Sequence, residues 1–233
     1  IVYNFRQNDI KNGGEGAPLA PIFHQLLATQ LKLDLPVCIL NIGGISNITI
    51  VSERTGTYGF TSRDIGPGNC LIDAWIRKNS NKKFDKDGII AAKGTRNDII
   101  FKQAQELFSN TLNQTALSFD VNDFDVSFAR GLSLEDGATT LTDFTASLIG
   151  TALSSFLSKI NKKSWKILVC GGGRKNQVLI EKIKKSILKN IFLQSIDDHG
   201  INGDFIESQA FAFLAIRSKL NLPISFPDTT GCK

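Results

Sequence analysis

The stretch Val37-Cys38-Ile39-Leu40-Asn41-Ile42-Gly43-Gly44-Ile45-Ser46-Asn47-Ile48-Thr49-Ile50-Val51 decides the fold. Two apolar runs, Val37 to Asn41 and Ile48 to Val51, flank the turn Gly43-Gly44-Ile45-Ser46-Asn47, the pattern of a strand hairpin. Further along, Lys166-Ile167-Leu168-Val169-Cys170 is a compact buried strand that breaks sharply at Gly171-Gly172-Gly173. A helix follows it, with Val178, Leu179, Ile183, Ile187 and Leu188 on one stripe, then a strand near Ile191 to Ser195. The helix Ile206 to Leu220 ends at Asn221 and Pro223. Strand hairpins followed by strand–helix alternation predict an α/β domain with a mixed sheet.

The remaining segments fit around this frame. Residues 1–33 open on a strand-like run, pass through the polar, Gly-rich loop Asn12 to Gly16, and reach a helix carrying Phe23, Leu26, Leu27 and Leu31 after Pro18 and Pro21. Pro36 marks a boundary. Thr57 to Phe60 reads as a third strand-like piece leading into the loop Arg63-Asp64-Ile65-Gly66-Pro67-Gly68-Asn69, and Asn69 to Lys78 as a helix. After Asp85-Lys86-Asp87-Gly88 comes helical periodicity to Leu112, then an irregular acidic stretch at 113–136, then helical spacing from Leu141 to Ile160.

Composition narrows the class. A chain of 233 residues with 42% hydrophobic residues can bury a sizeable core. Its net charge of +5, from 27 basic and 22 acidic residues, is scattered, and the Lys182–Lys185 cluster reads as the solvated face of a helix rather than a nucleic-acid surface. Cys38, Cys70, Cys170 and Cys232 are far apart and never form a C-x-x-C pair, which argues against a disulfide framework or a zinc site. These features predict a reducing, cytoplasmic setting with neither nucleic acid nor membrane as partner.

Three glycine-marked loops each follow a strand-like segment. Glycine turns let backbone N–H groups approach phosphate oxygens closely, because no Cβ stands in the way. None is a P-loop, and Gly171-Gly172-Gly173 does not fit a dinucleotide fingerprint. Asp64, just before the Gly66–Asn69 turn, reads either as a carboxylate available for chemistry or as a cap of that turn. Asp73 reads as a charge at a helix start, His24 as a satisfied core histidine, and Glu207 as either a structural or a nucleotide-side group.

Taken together, these loops resemble a known family. Asn41-Ile42-Gly43-Gly44-Ile45-Ser46-Asn47 resembles the second phosphate-binding hairpin of anhydro-N-acetylmuramic acid kinases. Asp64-Ile65-Gly66-Pro67-Gly68-Asn69, with Leu71, Asp73, Ala74 and Trp75, is similar to that family's D-T-G-P-G-N-x-L-x-D-A-W signature, and Cys170 to Gly173 with Asn176 to its adenosine-binding turn. Further matches are Asn4 to Asp9, Gly13 to Leu19, His24, Gly200, Asp204, Glu207, Ala210 to Ala212, and Thr230-Gly231.

The resemblance implies an actin-like, Hsp70-like ATPase fold built of ribonuclease-H-like lobes. Residues 1–35 are then a remnant of the first lobe and 36–233 the second, nucleotide-binding lobe. It implies ATP and Mg²⁺ as cofactors and a reaction in which water opens 1,6-anhydro-N-acetylmuramic acid while O6 takes the γ-phosphoryl group. Asp64 is the implied base. Asn41, Gly43, Gly44, Asn47, Gly171, Gly172, Gly173 and Asn176 are implied nucleotide contacts, and Arg6, Asp9, Gly66, Gly68 and Asn69 sugar contacts; no residue is assigned to a metal. The family's first phosphate hairpin has no counterpart here, Ile65 stands where threonine is usual, Glu15 where glutamine is usual, and Arg63 where an apolar or aromatic residue is usual. Thr115-Ala116-Leu117-Ser118 takes the place of a P-P-K-S loop. The expectation is an amino-terminally truncated member, impaired unless a separate lobe or a second copy completes it. The rival expectation is a non-catalytic remnant, or one half of a split kinase, that at most binds nucleotide or a partner chain.

Overall fold

The computed structural model describes residues 2–53, 59–112 and 119–232. Its five strands, β1 (Val37–Ile42), β2 (Ile45–Val51), β3 (Phe60–Pro67), β4 (Trp165–Cys170) and β5 (Ile191–Ser195), form one sheet in the order β3-β2-β1-β4-β5. β1, β2 and β3 make an antiparallel meander, whereas β4 and β5 run parallel to β1 and to each other. The predicted mixed sheet is therefore present. Its hairpin register, Val37↔Val51 to Ile42↔Ser46, is tighter than the sequence pattern suggests, with only Gly43 and Gly44 outside the strands.

Eight α-helices lie among the described residues, with six short 3₁₀ turns between elements: α1 (Phe5–Lys11), α2 (Pro21–Gln30), α3 (Cys70–Asn79), α4 (Asp98–Leu112), α5 (Leu134–Leu157), α6 (Gln177–Ser186), α7 (Ile206–Lys219) and α8 (Pro227–Thr230). Helices α3 to α6 cover one face of the sheet, where Leu40, Ile48, Ile50, Ile167 and Val169 meet Trp75, Leu141 and Phe144. Helices α2, α7 and α8 cover the other, where Ile39 and Leu168 meet Phe23, Leu27 and Ala210, and Phe60 meets Phe226 edge-on. A sheet clothed on both sides needs apolar residues on both, which is why the strands read as unbroken hydrophobic runs.

Two local readings change. The strand-like opening is instead helix α1, held by packing of Phe5 against Phe211 with ring centroids 5.6 Å apart; tertiary contact overrides a weak local preference. Asp64 lies in a strand rather than a loop, since β3 runs through to Pro67 and pairs Asp64 with Asn47. The strand tolerates Gly66 and Pro67 because it is an edge strand, where the N–H that proline lacks is not needed by a further neighbour. Residues 57 and 58 of the third strand-like piece, and Thr115 to Ser118, lie outside the described residues.

The long helix α5 shows how polar residues are carried inside. Ser133 caps it by accepting from the Asp136 N–H, and buried Thr140 and Thr142 donate to carbonyls four residues back. On α6 the lysines do face outward, Lys184 pairing with Glu181 and Lys182 with Asp143 of α5. Among the described residues no helix is long and apolar enough to cross a membrane.

Helix α5 approaches α3 through Gly137, where an added Cβ would stand 2.2 Å from Trp75 ring atoms. The Trp75 indole N–H donates to Leu134 O at 2.9 Å, so the ring has little freedom to retreat. In an open helix Gly→Ala stabilises by about 1 kcal/mol. Here overpacking of about 1–3 kcal/mol outweighs that gain. Gly137→Ala is expected to lower the urea midpoint without changing the slope; a raised midpoint would show the α3–α5 contact to be loose.

Candidate active site

β1 and β4 run side by side in the same direction, so the turns after Ile42 and after Cys170 emerge together at one end of the sheet. In open α/β sheets this is where ligands sit. A cleft of about 730 Å³ opens there. The Gly43–Gly44 and Gly171–Gly172 turns form its floor. Arg6 and the loop Glu15–Ala20 form one wall, Phe119–Val121 another, and Gly203 to Glu207 with the start of α7 closes the far end.

Asp64 stands on the cleft and is 6% exposed. Its Oδ2 accepts the Phe119 N–H at 2.8 Å, and among the described residues nothing bonds Oδ1. Burial pushes the carboxyl up to about 6; the Phe119 bond pulls it down and the nearby Glu15 charge pushes it up further. A carboxylate with that affinity for protons, and one free oxygen, is equipped to accept a proton near neutral pH.

The glycine turns are shaped for close approach. Gly44 and Gly172 have no atom within 4 Å of where a Cβ would stand, which leaves their backbone bare to the cleft. Gly171 has φ +80°, and a side chain there would strike Asn41 Oδ1 at 2.5 Å. The hairpin turn is gripped from behind. Gly68 and Cys70 N–H donate to Gly44 O at 2.8 and 3.1 Å, and Asn69 N–H donates to Gly43 O at 2.8 Å. Asn69 Nδ2 adds a second bond to Gly43 O at 3.0 Å.

Of the residues singled out in the sequence, Arg6, Asn41, Gly43, Gly44, Asn47, Asp64, Gly171 and Gly172 meet around this cleft. Gly66, Gly68 and Asn69 lie behind the hairpin turn, and Gly173 lies against Ile42. Asn176 is the N-cap of α6, its Oδ1 accepting the Leu179 N–H. Asp9 is 2% exposed, its carboxylate accepting from the Gly16 N–H at 2.7 Å and the Thr230 hydroxyl at 2.6 Å. Asp73, on the first turn of α3, is raised to about 6 by burial. His24 is buried, as expected, and bonds Thr49, yet its ring also lines the cleft.

Sequence reasoning missed Phe119 and Asp120, which follow an irregular stretch with no pattern to mark them. It also missed Arg174. That guanidinium, 4% exposed, reaches both Asp197 oxygens, Asp204 Oδ1 at 3.0 Å and Gly171 O at 3.1 Å. It ties the Gly171 turn to the 197–204 loop and holds the Asp197 carboxyl well below the usual range. A cation directly after a triple glycine, with Asp197-Asp198 downstream, was the available signal.

Among the described residues no three His, Cys, Asp or Glu side chains converge as a metal cage. The cleft offers open backbone at Gly44 and Gly172, with Arg6 and the carboxylates of Glu15, Asp64, Asp120, Asp204 and Glu207 among its lining residues.

Comparison with known proteins identifies the family. The sequence model of the family described as anhydro-N-acetylmuramic acid kinase matches residues 1–233. The anhydro-N-acetylmuramic acid kinase of Pelagibacter ubique is 53% identical over 233 residues, which is 100% of this chain and 62% of that protein. That of Zymomonas mobilis is 38% identical over 232 residues, 99% of this chain and 60% of that protein. The chain thus spans about three-fifths of the length of these relatives. Xylulose kinase from Rhodospirillum rubrum shares the fold, with a TM-score of 0.50 at 11% identity over 91% of this chain and 44% of that one. With the family match running from end to end over the cleft, the hairpin and the Asp64 strand alike, the chain belongs to the anhydro-N-acetylmuramic acid kinase family.

Proposed function

We propose that this chain carries the catalytic base and nucleotide floor of an ATP-dependent kinase that opens 1,6-anhydro-N-acetylmuramic acid and delivers its 6-phosphate. The observation that supports this most directly is Asp64: a nearly buried carboxyl raised to about 6, with one free oxygen, beside two bare glycine turns. Water held by Oδ1 attacks the anomeric carbon and gives its proton to Asp64. The bond from that carbon to O6 breaks, O6 takes the γ-phosphoryl group, and ADP leaves. Positioning and electrostatics supply most of the acceleration in such transfers.

Roles divide by placement. Gly44 and Gly172 take the phosphates and nucleoside through bare backbone, with Gly43 and Gly171 shaping the two turns and Asn41 and Asn47 flanking them. Arg6 faces the sugar side. Asp9, Gly66, Gly68, Asn69, Gly173 and Asn176 act one layer out, holding the turns and the Gly13–Pro18 loop. Mg²⁺ would supply charge neutralisation on the transferring phosphoryl group; among the described residues no three carboxylate, histidine or cysteine side chains form a cage for it. Residues 1–35 are read as part of the first lobe and 36–233 as the second, with a separate lobe or a second copy as the partner that completes the cleft. Free thiols at all four cysteines suit a reducing cytoplasm, and the reaction suits cell-wall recycling.

The decisive assay is phosphate transfer from ATP to 1,6-anhydro-N-acetylmuramic acid, run on the chain alone and with a polypeptide supplying the part of the Pelagibacter relative that this chain does not match. Product in either arm supports the proposal. ATP binding without product in both arms leaves a nucleotide-binding remnant, and the kinase reading falls.

Asp64→Asn is expected to reduce turnover by roughly 10²–10⁴-fold, the usual contribution of a general base. The same change should stabilise the fold. A carboxyl raised in the folded state contributes stability below the unfolded value of 3.8 and loses it as pH rises through about 6. An uncharged amide escapes that loss, so the melting temperature of Asp64→Asn at pH 7.5 should equal or exceed wild type. Wild-type turnover should in turn fall about tenfold per pH unit below about 6. A profile flat between pH 5 and 8 would remove Asp64 from the base role.

A further inference from the structure

A buried line of hydrogen bonds runs from the cleft into the sheet, and its proton order can be read from one end. Ser62 Oγ donates to the backbone carbonyl of Ile48 at 2.7 Å. A hydroxyl has one proton, so in its 3.2 Å contact with Thr49 Oγ1 the serine oxygen accepts and Thr49 donates. The threonine proton is then spent, so at 2.7 Å Thr49 Oγ1 accepts from His24 Nδ1. Each step leaves one choice, and the last puts hydrogen on Nδ1. In a neutral imidazole the other nitrogen, Nε2, then carries a bare lone pair.

That lone pair has no use inside the protein. His24 is 1% exposed, and its ring lines the cleft. Among the described residues Nε2 has no hydrogen-bond partner. Nor is it one of the sealed polar atoms without a partner, as His199 Nε2 is; it reaches the open space of the cleft. The strand register puts the ring's Thr49 anchor on the same face as Asp64. Thr49↔Ser62 and Asn47↔Asp64 are successive pairs on the same face of the β2–β3 ladder, about 7 Å apart along the strands. One sugar-sized ligand spans that distance.

We propose that His24 is a ligand-binding residue of the cleft, an uncharged acceptor whose Nε2 receives an O–H or N–H of the molecule held beside Asp64. The naming of that donor as a hydroxyl or acetamido N–H of an amino sugar rests on the kinase reading above; the proton order does not. A fixed acceptor selects against a carboxylate or phosphate at that point, because two lone pairs repel. A site committed to one donor also rejects analogues that lack it. Burial lowers the His24 pKa to about 4, which agrees with an uncharged ring. The line also gives a reason for two buried hydroxyls, Thr49 and Ser62, at sheet positions where valine would pack as well.

The test is nitrogen NMR of the ¹⁵N-labelled full chain at pH 7. The chain has only two histidines, so His24→Asn assigns the signals. The expected spectrum shows a protonated Nδ1 and a lone-pair Nε2 at His24. Adding 1,6-anhydro-N-acetylmuramic acid should shift Nε2 and leave Nδ1 in place. His24→Asn keeps an amide for Thr49 but removes the acceptor, and is expected to weaken sugar binding about tenfold, the effect of losing one net hydrogen bond. Thr49→Val, which preserves packing, should mix the two tautomers and weaken binding by a smaller factor. Hydrogen on Nε2 in the wild-type chain, or unchanged binding by His24→Asn, overturns the proposal. If the wild-type chain alone takes up none of the sugar, the kinase reading stands or falls on the transfer assay with the supplied polypeptide; the nitrogen shifts then decide His24 by themselves, and hydrogen on Nε2 overturns it.

Discussion

The site depends on a grip between two backbones. Gly68, Asn69 and Cys70 donate to the carbonyls of Gly43 and Gly44, so the hairpin turn is fastened to the start of α3. With those carbonyls bound behind it, the turn leaves its other side free for the cleft. The contact leaves no room for a side chain: a Cβ on Gly68 would stand 2.3 Å from Gly43 O. The same grip sets Asp64, because β3 pairs with β2 through the bulge at Ser46 and Asn47 and on to Ile45 beside the turn. Moving the turn would therefore move the base.

The sheet divides its work by face. Ile48 and Ile50 turn toward α3 and α5 and are wholly apolar in their surroundings. Asn47 and Thr49, on the opposite face of the same strand, meet Asp64, Ser62 and His24. Alternation of side chains along one strand thus supplies core and chemistry together. The far end of the cleft is organised differently, by one buried guanidinium. Arg174 satisfies its donors on two carboxylates and a carbonyl, which compensates for taking its charge out of water.

Much of this was legible in the sequence, and the limits have physical causes. Apolar runs around Gly43-Gly44 and before Gly171 marked three of the five strands, and the run near Ile191 a fourth, because a doubly covered sheet demands continuous hydrophobicity. The end of β3 was hidden, since Arg63-Asp64-Ile65-Gly66-Pro67 has turn composition, and only the Asn47↔Asp64 pairing across the ladder makes it strand. Helix α1 was hidden too, because its buried aspartate and its contact with Phe211 are tertiary. Asp64, Asn41 and the glycines could be picked out as types suited to chemistry. Which of them face the cleft could not, since Gly68 and Gly44 look alike until one is seen pressed on a carbonyl and the other on open space. His24 was read as a satisfied core residue, which is half of the matter: its Nδ1 is satisfied and its Nε2 is not.

The bonds that tie Asp9 and Glu15 to Thr230 have a consequence for when the cleft comes into being. Thr230 hydroxyl to Asp9 closes a loop between residues 221 positions apart, and Thr230 O takes the Glu15 N–H beside it. Contacts of such separation are made after local ones, because the chain must first surrender the freedom of everything between. The Gly13–Pro18 wall cannot settle until residues near 230 have been synthesised and docked. During synthesis the glycine turns and Asp64 can take shape early, yet the cleft stays open on one side. Its wall is finished by a turn that emerges 221 positions after the residue it ties down, so the cleft cannot be complete before that turn has docked.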